Sequence, residues 1–142
     1  MRLRGNTRPS RRAFDACRWA QSLGSGTDLG FLGAGAFGAA SGTGTITYTD
    51  GSTQSYSLVM TDWYNNAPVA GDEIATTTTS WNFSSSTQVH HPVSIYFASV
   101  PLEAGKTVAS VTLPTVSAGV GNGITALHVF AMAIGSGPPT IG

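Results

Sequence analysis

Two runs of two-residue alternation flanking Asp50-Gly51 constrain this chain more than any other feature. On the incoming side Thr43, Thr45, Thr47 and Thr49 alternate with Gly44, Ile46 and Tyr48. On the return Tyr56, Leu58 and Met60 alternate with Ser55, Ser57, Val59 and Thr61. Successive side chains of a strand point to opposite faces, so this period sorts apolar groups to one side and small polar groups to the other. A helix would scatter both sets around its axis. Asp-Gly suits a two-residue type I′ turn, in which both central residues take positive φ. The pattern predicts an antiparallel hairpin from Gly42 to Trp63, with Ile46, Tyr48, Tyr56, Leu58 and Met60 buried.

The rest of the chain reads in the same idiom. Leu29 to Leu32 is a short apolar strand entering a glycine-rich stretch, and Asn65 to Gly71 is a loop. Ile74 to Phe83 is threonine-rich and extended, with the low apolar weight of an edge strand; Ser84 to Pro92 reads as a polar loop. Val93 to Val100 is a strand, Pro101 to Lys106 a turn, and Val108 to Leu113 a strand stopped by Pro114. In the last strand, Ala126 to Ile134, both alternating sets are mostly apolar, which predicts a central strand covered on both faces. His128 within it is expected to be a hydrogen-bonded core histidine. No window carries a helical period. Seven or so short strands separated by turns every ~8–12 residues indicate an all-β fold, an antiparallel β-sandwich or jelly roll.

The length of 142 residues allows one domain. The sandwich is expected over 22–135, after a basic leader over 1–21 and before a flexible end over 136–142. Six of the seven basic residues lie in the first 18 positions, and Lys106 alone follows. Residues 19–142 set that one cation against six carboxylates, a net of −5. A surface of that sign repels phosphate and argues against nucleic-acid binding by the folded part. Ser10-Arg11-Arg12-Ala13-Phe14 has the look of a twin-arginine export signal, but Asp15, Arg18 and Gln21 interrupt the apolar stretch that must follow. No apolar run reaches the ~18 residues of a membrane helix, so no membrane partner is expected. Cys17 is the single cysteine, which leaves no intrachain disulfide and no cysteine metal cluster.

The motifs that suggest chemistry are weak. Gly33-Ala34-Gly35-Ala36-Phe37-Gly38 fits the dinucleotide fingerprint, but that motif works by aiming a helix N-terminus at pyrophosphate. A threonine-alternating strand follows instead, so the glycines mark a bend where sheets approach closely, and no cofactor is expected. His90-His91 would point to opposite faces of a strand and chelate poorly, which leaves no metal site. Glycoside hydrolysis requires two carboxylates across a sugar. Asp50 and Glu103 sit in turns, and only Asp62 with Asp72 or Glu73 makes a nameable pair, so no catalytic residue is assigned.

The cluster with the most binding character is Asp62-Trp63-Tyr64-Asn65-Asn66, with Trp81-Asn82-Phe83 further along. Aromatic faces accept the C–H side of a sugar ring, and Asp and Asn exchange hydrogen bonds with its hydroxyls. Asp62, Trp63, Tyr64, Asn65, Trp81 and Asn82 are the candidate ligand-binding residues. The competing reading has Trp63 ending a hairpin strand as a lid on the core or a contact with another domain.

A resemblance rests on several separated segments in order: Leu29-Gly30-Phe31-Leu32-Gly33-Ala34, Thr45-Ile46-Thr47-Tyr48-Thr49-Asp50-Gly51-Ser52, Asp62-Trp63 and Val100-Pro101-Leu102. Gly105 to Pro114 and Leu127-His128-Val129-Phe130-Ala131 complete it. Across 22–135 the chain resembles an accessory module at the C-termini of secreted actinobacterial glycoside hydrolases, and its closing strands look like those of galactose-binding-like jelly rolls. The resemblance implies an extracellular, non-catalytic β-sandwich beside the catalytic domain of a parent glycoside hydrolase, with carbohydrate as a second partner. The alternative it leaves is a structural spacer packed against that enzyme. Such modules carry a further strand or two upstream, where this chain has its arginine-rich leader. On this resemblance the sandwich is short of an N-terminal strand.

Overall fold

A computed structural model describes residues 23–136 apart from 66, 85–86, 118 and 120. The leader expected over 1–21 and nearly all of the end expected over 136–142 lie outside them. The described residues form ten strands: β1 (Gly24–Ser25), β2 (Asp28–Ala36), β3 (Ala40–Tyr48), β4 (Thr53–Met60), β5 (Glu73–Thr78), β6 (Trp81–Ser84), β7 (Thr87–Val89), β8 (Val93–Pro101), β9 (Thr107–Thr112) and β10 (Ala126–Gly135). Sheet one has the order β1-β9-β3-β4 and sheet two the order β10-β2-β8-β5, with β6-β7 as a separate ribbon. Every pairing within the sheets is antiparallel. The fold is an all-β antiparallel sandwich, as the strand periodicity predicts.

Its core is the set of alternating apolar residues. Ile46 and Tyr48 of β3 and Tyr56, Leu58 and Met60 of β4 are all buried. They meet Leu29 and Phe31 of β2 and Tyr96, Ala98 and Val100 of β8 in one cluster between the sheets. Phe31 stacks on Tyr56 across the layers with ring centroids 5.5 Å apart. Gly44 makes room for that ring: a Cβ there would lie 2.4 Å from Tyr56 Cζ. Tyr56 Oη donates to Thr112 O at 3.1 Å, so the ring also links β4 across β3 to β9.

The hairpin turn departs from expectation in type. Gly51 takes φ 84°, but Phe37 is the only non-glycine with positive φ among the described residues, so Asp50 is not left-handed. Gly51 N donates to Tyr48 O at 3.0 Å and Tyr48 N to Ser52 O at 2.9 Å. This is a type I turn closed by a left-handed glycine, the three-residue alternative to type I′. Asp50 Oδ1 accepts from both Ser52 N and Ser52 Oγ, at 2.9 and 2.5 Å, which holds its carboxyl below the usual range. Those local bonds favour the right-handed conformation that type I requires.

Three further expectations are corrected. β10 is not central and covered but an edge strand of sheet two, with Phe130 and Met132 exposed. His128 on it is exposed, not a core histidine. A strand apolar on both sides suits a covered centre, but no second layer lies over the outer side of this sheet among the described residues, so half of β10's apolar set faces outward. Ser84 to Pro92 is not a plain loop either. It contains β7, which returns on β6 with Trp81 opposite Val89 and Asn82 opposite Gln88. The glycine-rich stretch behaves as the bend it was expected to be. Gly33 to Ala36 finish β2, and Phe37 and Gly38, with φ 56° and 112°, turn the chain over into sheet one.

Candidate functional site

The candidate site forms where β4 leaves sheet one. β2 and β8 pair only as far as Gly33 opposite Tyr96, then diverge. The chain beyond β4 enters that gap: Gly35 N donates to Thr61 O at 2.7 Å, Trp63 N to Gly35 O at 2.9 Å, and Ser94 N to Trp63 O at 2.9 Å. Residues 61–63 are thus wedged between two strands of the other sheet. Only glycine fits opposite the wedge, since a Cβ on Gly35 would lie 2.8 Å from Met60 O and 2.7 Å from Gly38 O.

Carboxylates hold this junction. Asp62 is buried, and its Oδ2 accepts from Gly38 N at 2.5 Å while Oδ1 accepts from Tyr64 N at 2.9 Å. Asp72 accepts from Thr61 N at 2.6 Å and from Thr61 Oγ1 at 3.1 Å. Thr61 Oγ1 in turn accepts from Val69 N at 2.8 Å, closing the loop between them. Buried N–H groups are costly to leave unpaired, so both carboxylates serve the backbone. Asp62, a candidate for contact with sugar hydroxyls, spends its oxygens inside the protein.

The aromatic residues gather as the sequence suggested and with additions. Trp63 meets Trp81 edge to face, centroids 5.0 Å apart and planes at 86°. Tyr64 lies 5.8 Å from Trp63 and 6.4 Å from Trp81, again near perpendicular. Phe83 reaches Trp81 at 5.8 Å and 70°. His91 stacks on Tyr64 at 3.7 Å and 12°, and its Nε2 lies 3.1 Å from Tyr64 O. Tyr64 is 43% and Phe83 72% exposed, whereas Trp63 and Trp81 are half-buried. The Trp81 indole N–H is buried with no partner among the described residues. Asn65 and Asn82 stand exposed at the margin. The Asn65 carbonyl accepts from the Tyr96 hydroxyl, whose pKa is raised chiefly by burial.

Beside the cluster, on the outer side of sheet two, lies a groove of about 320 Å3. Ala34 and Ala36 of β2 and Val93 and Ile95 of β8 form its floor, Thr76 and Thr78 of β5 one flank, and His128 and Phe130 of β10 the other; Trp63 joins it to the aromatic cluster. The register agrees, because Thr76 opposes Ile95, Thr78 opposes Val93 and His128 opposes Ala34, which places each pair on one face. No charged side chain lines it. Lys106, the only cation in 23–136, sits with the Asp50 turn and Glu103 at the other end of β3 and β4.

The sequence alone puts Phe130 in a covered strand and His91 in a loop, and neither at the site. Phe130 had one usable signal, the excess of apolar residues on both faces of β10. His91 had none, because its partner Tyr64 lies 27 positions away. Comparison with protein-family models and with curated proteins yields no match.

Proposed function

We propose that the chain is a non-catalytic accessory module of a secreted carbohydrate-active enzyme, contacting carbohydrate through the aromatic surface around Trp63, Tyr64 and Trp81. One observation carries the reading: five rings drawn from three segments converge beside an open, uncharged groove. Sugars present an apolar C–H face and a hydroxyl rim, and exposed rings flanked by Asn65 and Asn82 match both. Asp62 then acts as a positioning residue that holds Tyr64 through its amide. The engagement of Asp62 and Asp72 with backbone groups supports a module without hydrolytic chemistry of its own. Extracellular location and a parent glycoside hydrolase follow from the resemblance.

A second reading, the spacer packed against a catalytic domain, is favoured by one feature. Phe130 and the apolar floor of the groove are of the kind that a neighbouring domain buries.

A glycan array probed with the chain, paired with urea unfolding of each variant, separates the two. Trp63→Ala or Trp81→Ala is expected to weaken binding by about 1–3 kcal/mol, the scale of lost aromatic contact, with the fold retained. Absence of any glycan ligand, together with losses of folding stability of about 3 kcal/mol or more, would leave the rings as packing residues and the spacer reading in place.

A further inference from the structure

Resting on that reading, we infer the class of ligand: a soluble, uncharged, single-chain oligosaccharide lying across the outer side of sheet two, from the Trp63–Trp81 corner to Phe130. The flat face of an insoluble polysaccharide is not the target. Such a face is contacted by rings that share a plane. Here Trp81 stands at 86° to Trp63, 82° to Tyr64 and 70° to Phe83, so the cluster is a corner and not a platform. The one parallel pair, Tyr64 with His91, turns a face of each ring toward the other.

The groove continues that corner. It crosses from β10 over β2, the wedged residues 61–63 and β8 to β5, four inter-strand spacings or about 19 Å. Its floor of alanine, valine and isoleucine side chains offers an apolar bed, and the Thr76, Thr78 and His128 side chains supply hydrogen-bonding groups on the flanks. With no charge in the lining, a uronate or sulfated chain finds no counter-charge there, and a neutral chain is not penalised.

Phe130 is the second ring of this surface. It is 60% exposed, and it occupies the β-bulge that shifts the β10–β2 register between Val129 and Ala131. A bulge re-aims a side chain and is over-represented beside functional sites. Phe130 lines the groove from the edge of the sheet, on the flank opposite Thr76 and Thr78.

The test uses the full chain in affinity electrophoresis through soluble neutral polysaccharides (xyloglucan, galactomannan, arabinoxylan) and a soluble polyuronate. Pull-down on microcrystalline cellulose and on chitin is run in parallel. Phe130→Ala, the double variant Thr76→Ala/Thr78→Ala and Trp81→Ala are compared, each with its urea midpoint. The expected result is retardation by at least one neutral soluble polymer and none by the polyuronate, with no depletion by the insoluble ones. Phe130→Ala should weaken binding about tenfold with an unchanged midpoint, the scale of one lost aromatic contact. Depletion onto cellulose or chitin would overturn the inference, as would retention of full affinity by Phe130→Ala while Trp81→Ala loses it; in both cases carbohydrate binding itself would survive. Failure to bind any polymer would remove the carbohydrate reading and this inference together, and leave the groove to a protein neighbour.

Discussion

Asp62 ties two segments together: its Oδ1 accepts from Tyr64 N two positions along its own stretch, and its Oδ2 accepts from Gly38 N in the turn between β2 and β3. Asp62→Ala would leave two amides without an acceptor. Its expected cost is about 1–3 kcal/mol of folding stability, read from the urea midpoint. Asp62→Asn keeps one acceptor oxygen and should recover part of that loss. Equal stability in all three proteins would show that water replaces the carboxylate and that the clasp is dispensable. Because Asp62 also positions Tyr64, the alanine variant should disturb the Tyr64–His91 stack, visible as a change in aromatic circular dichroism.

Among the elements, the β3–β4 hairpin gives in its turn a clean test of backbone cost. Gly51 sits at φ 84°, and nothing lies within 4 Å of where its Cβ would be. Gly51→Ala therefore suffers conformational strain without a clash, and should cost about 1 kcal/mol. Gly51→Asn should cost less, since Asn tolerates the left-handed region. If alanine were neutral, the turn would be free to rearrange to a different loop. β10 is the contrasting element. Its pattern of apolar residues on both faces describes a covered strand and an edge strand beside an uncovered surface equally well. Which of the two forms depends on whether a layer packs outside sheet two, and β10's own residues do not encode that.

For the whole molecule, alkaline pH reports on the shared core. Burial raises the pKa of Tyr56 and of Tyr96 above the ordinary 10.0. In the unfolded chain both phenols ionise near 10, whereas in the folded protein they resist ionisation to higher pH. Their contribution is thus complete below about pH 10 and is lost as pH rises through the folded values. The urea midpoint should fall above pH 10. Tyr56→Phe should lower it at neutral pH, through loss of the bond to Thr112, and make the alkaline decline shallower. A decline of unchanged slope in both Tyr56→Phe and Tyr96→Phe would assign the pH dependence to other groups.

Local periodicity determined the sandwich class, the hairpin and its five buried residues, and the glycine bend, because each follows from alternation or backbone freedom within a few positions. The aromatic residues near Trp63 and Trp81 were legible as a group for the same reason. The tertiary structure alone decided how they are used. Asp62 turned inward because the wedge between β2 and β8 places amides around it. His91 joined the site through a partner far along the chain. Phe130 came to the surface because β10 lies at an edge, with a bulge that no local pattern announces. Strand pairing and layer coverage are properties of distant segments brought together, so a side chain's exposure on a doubly apolar strand exists only once the sheets have packed.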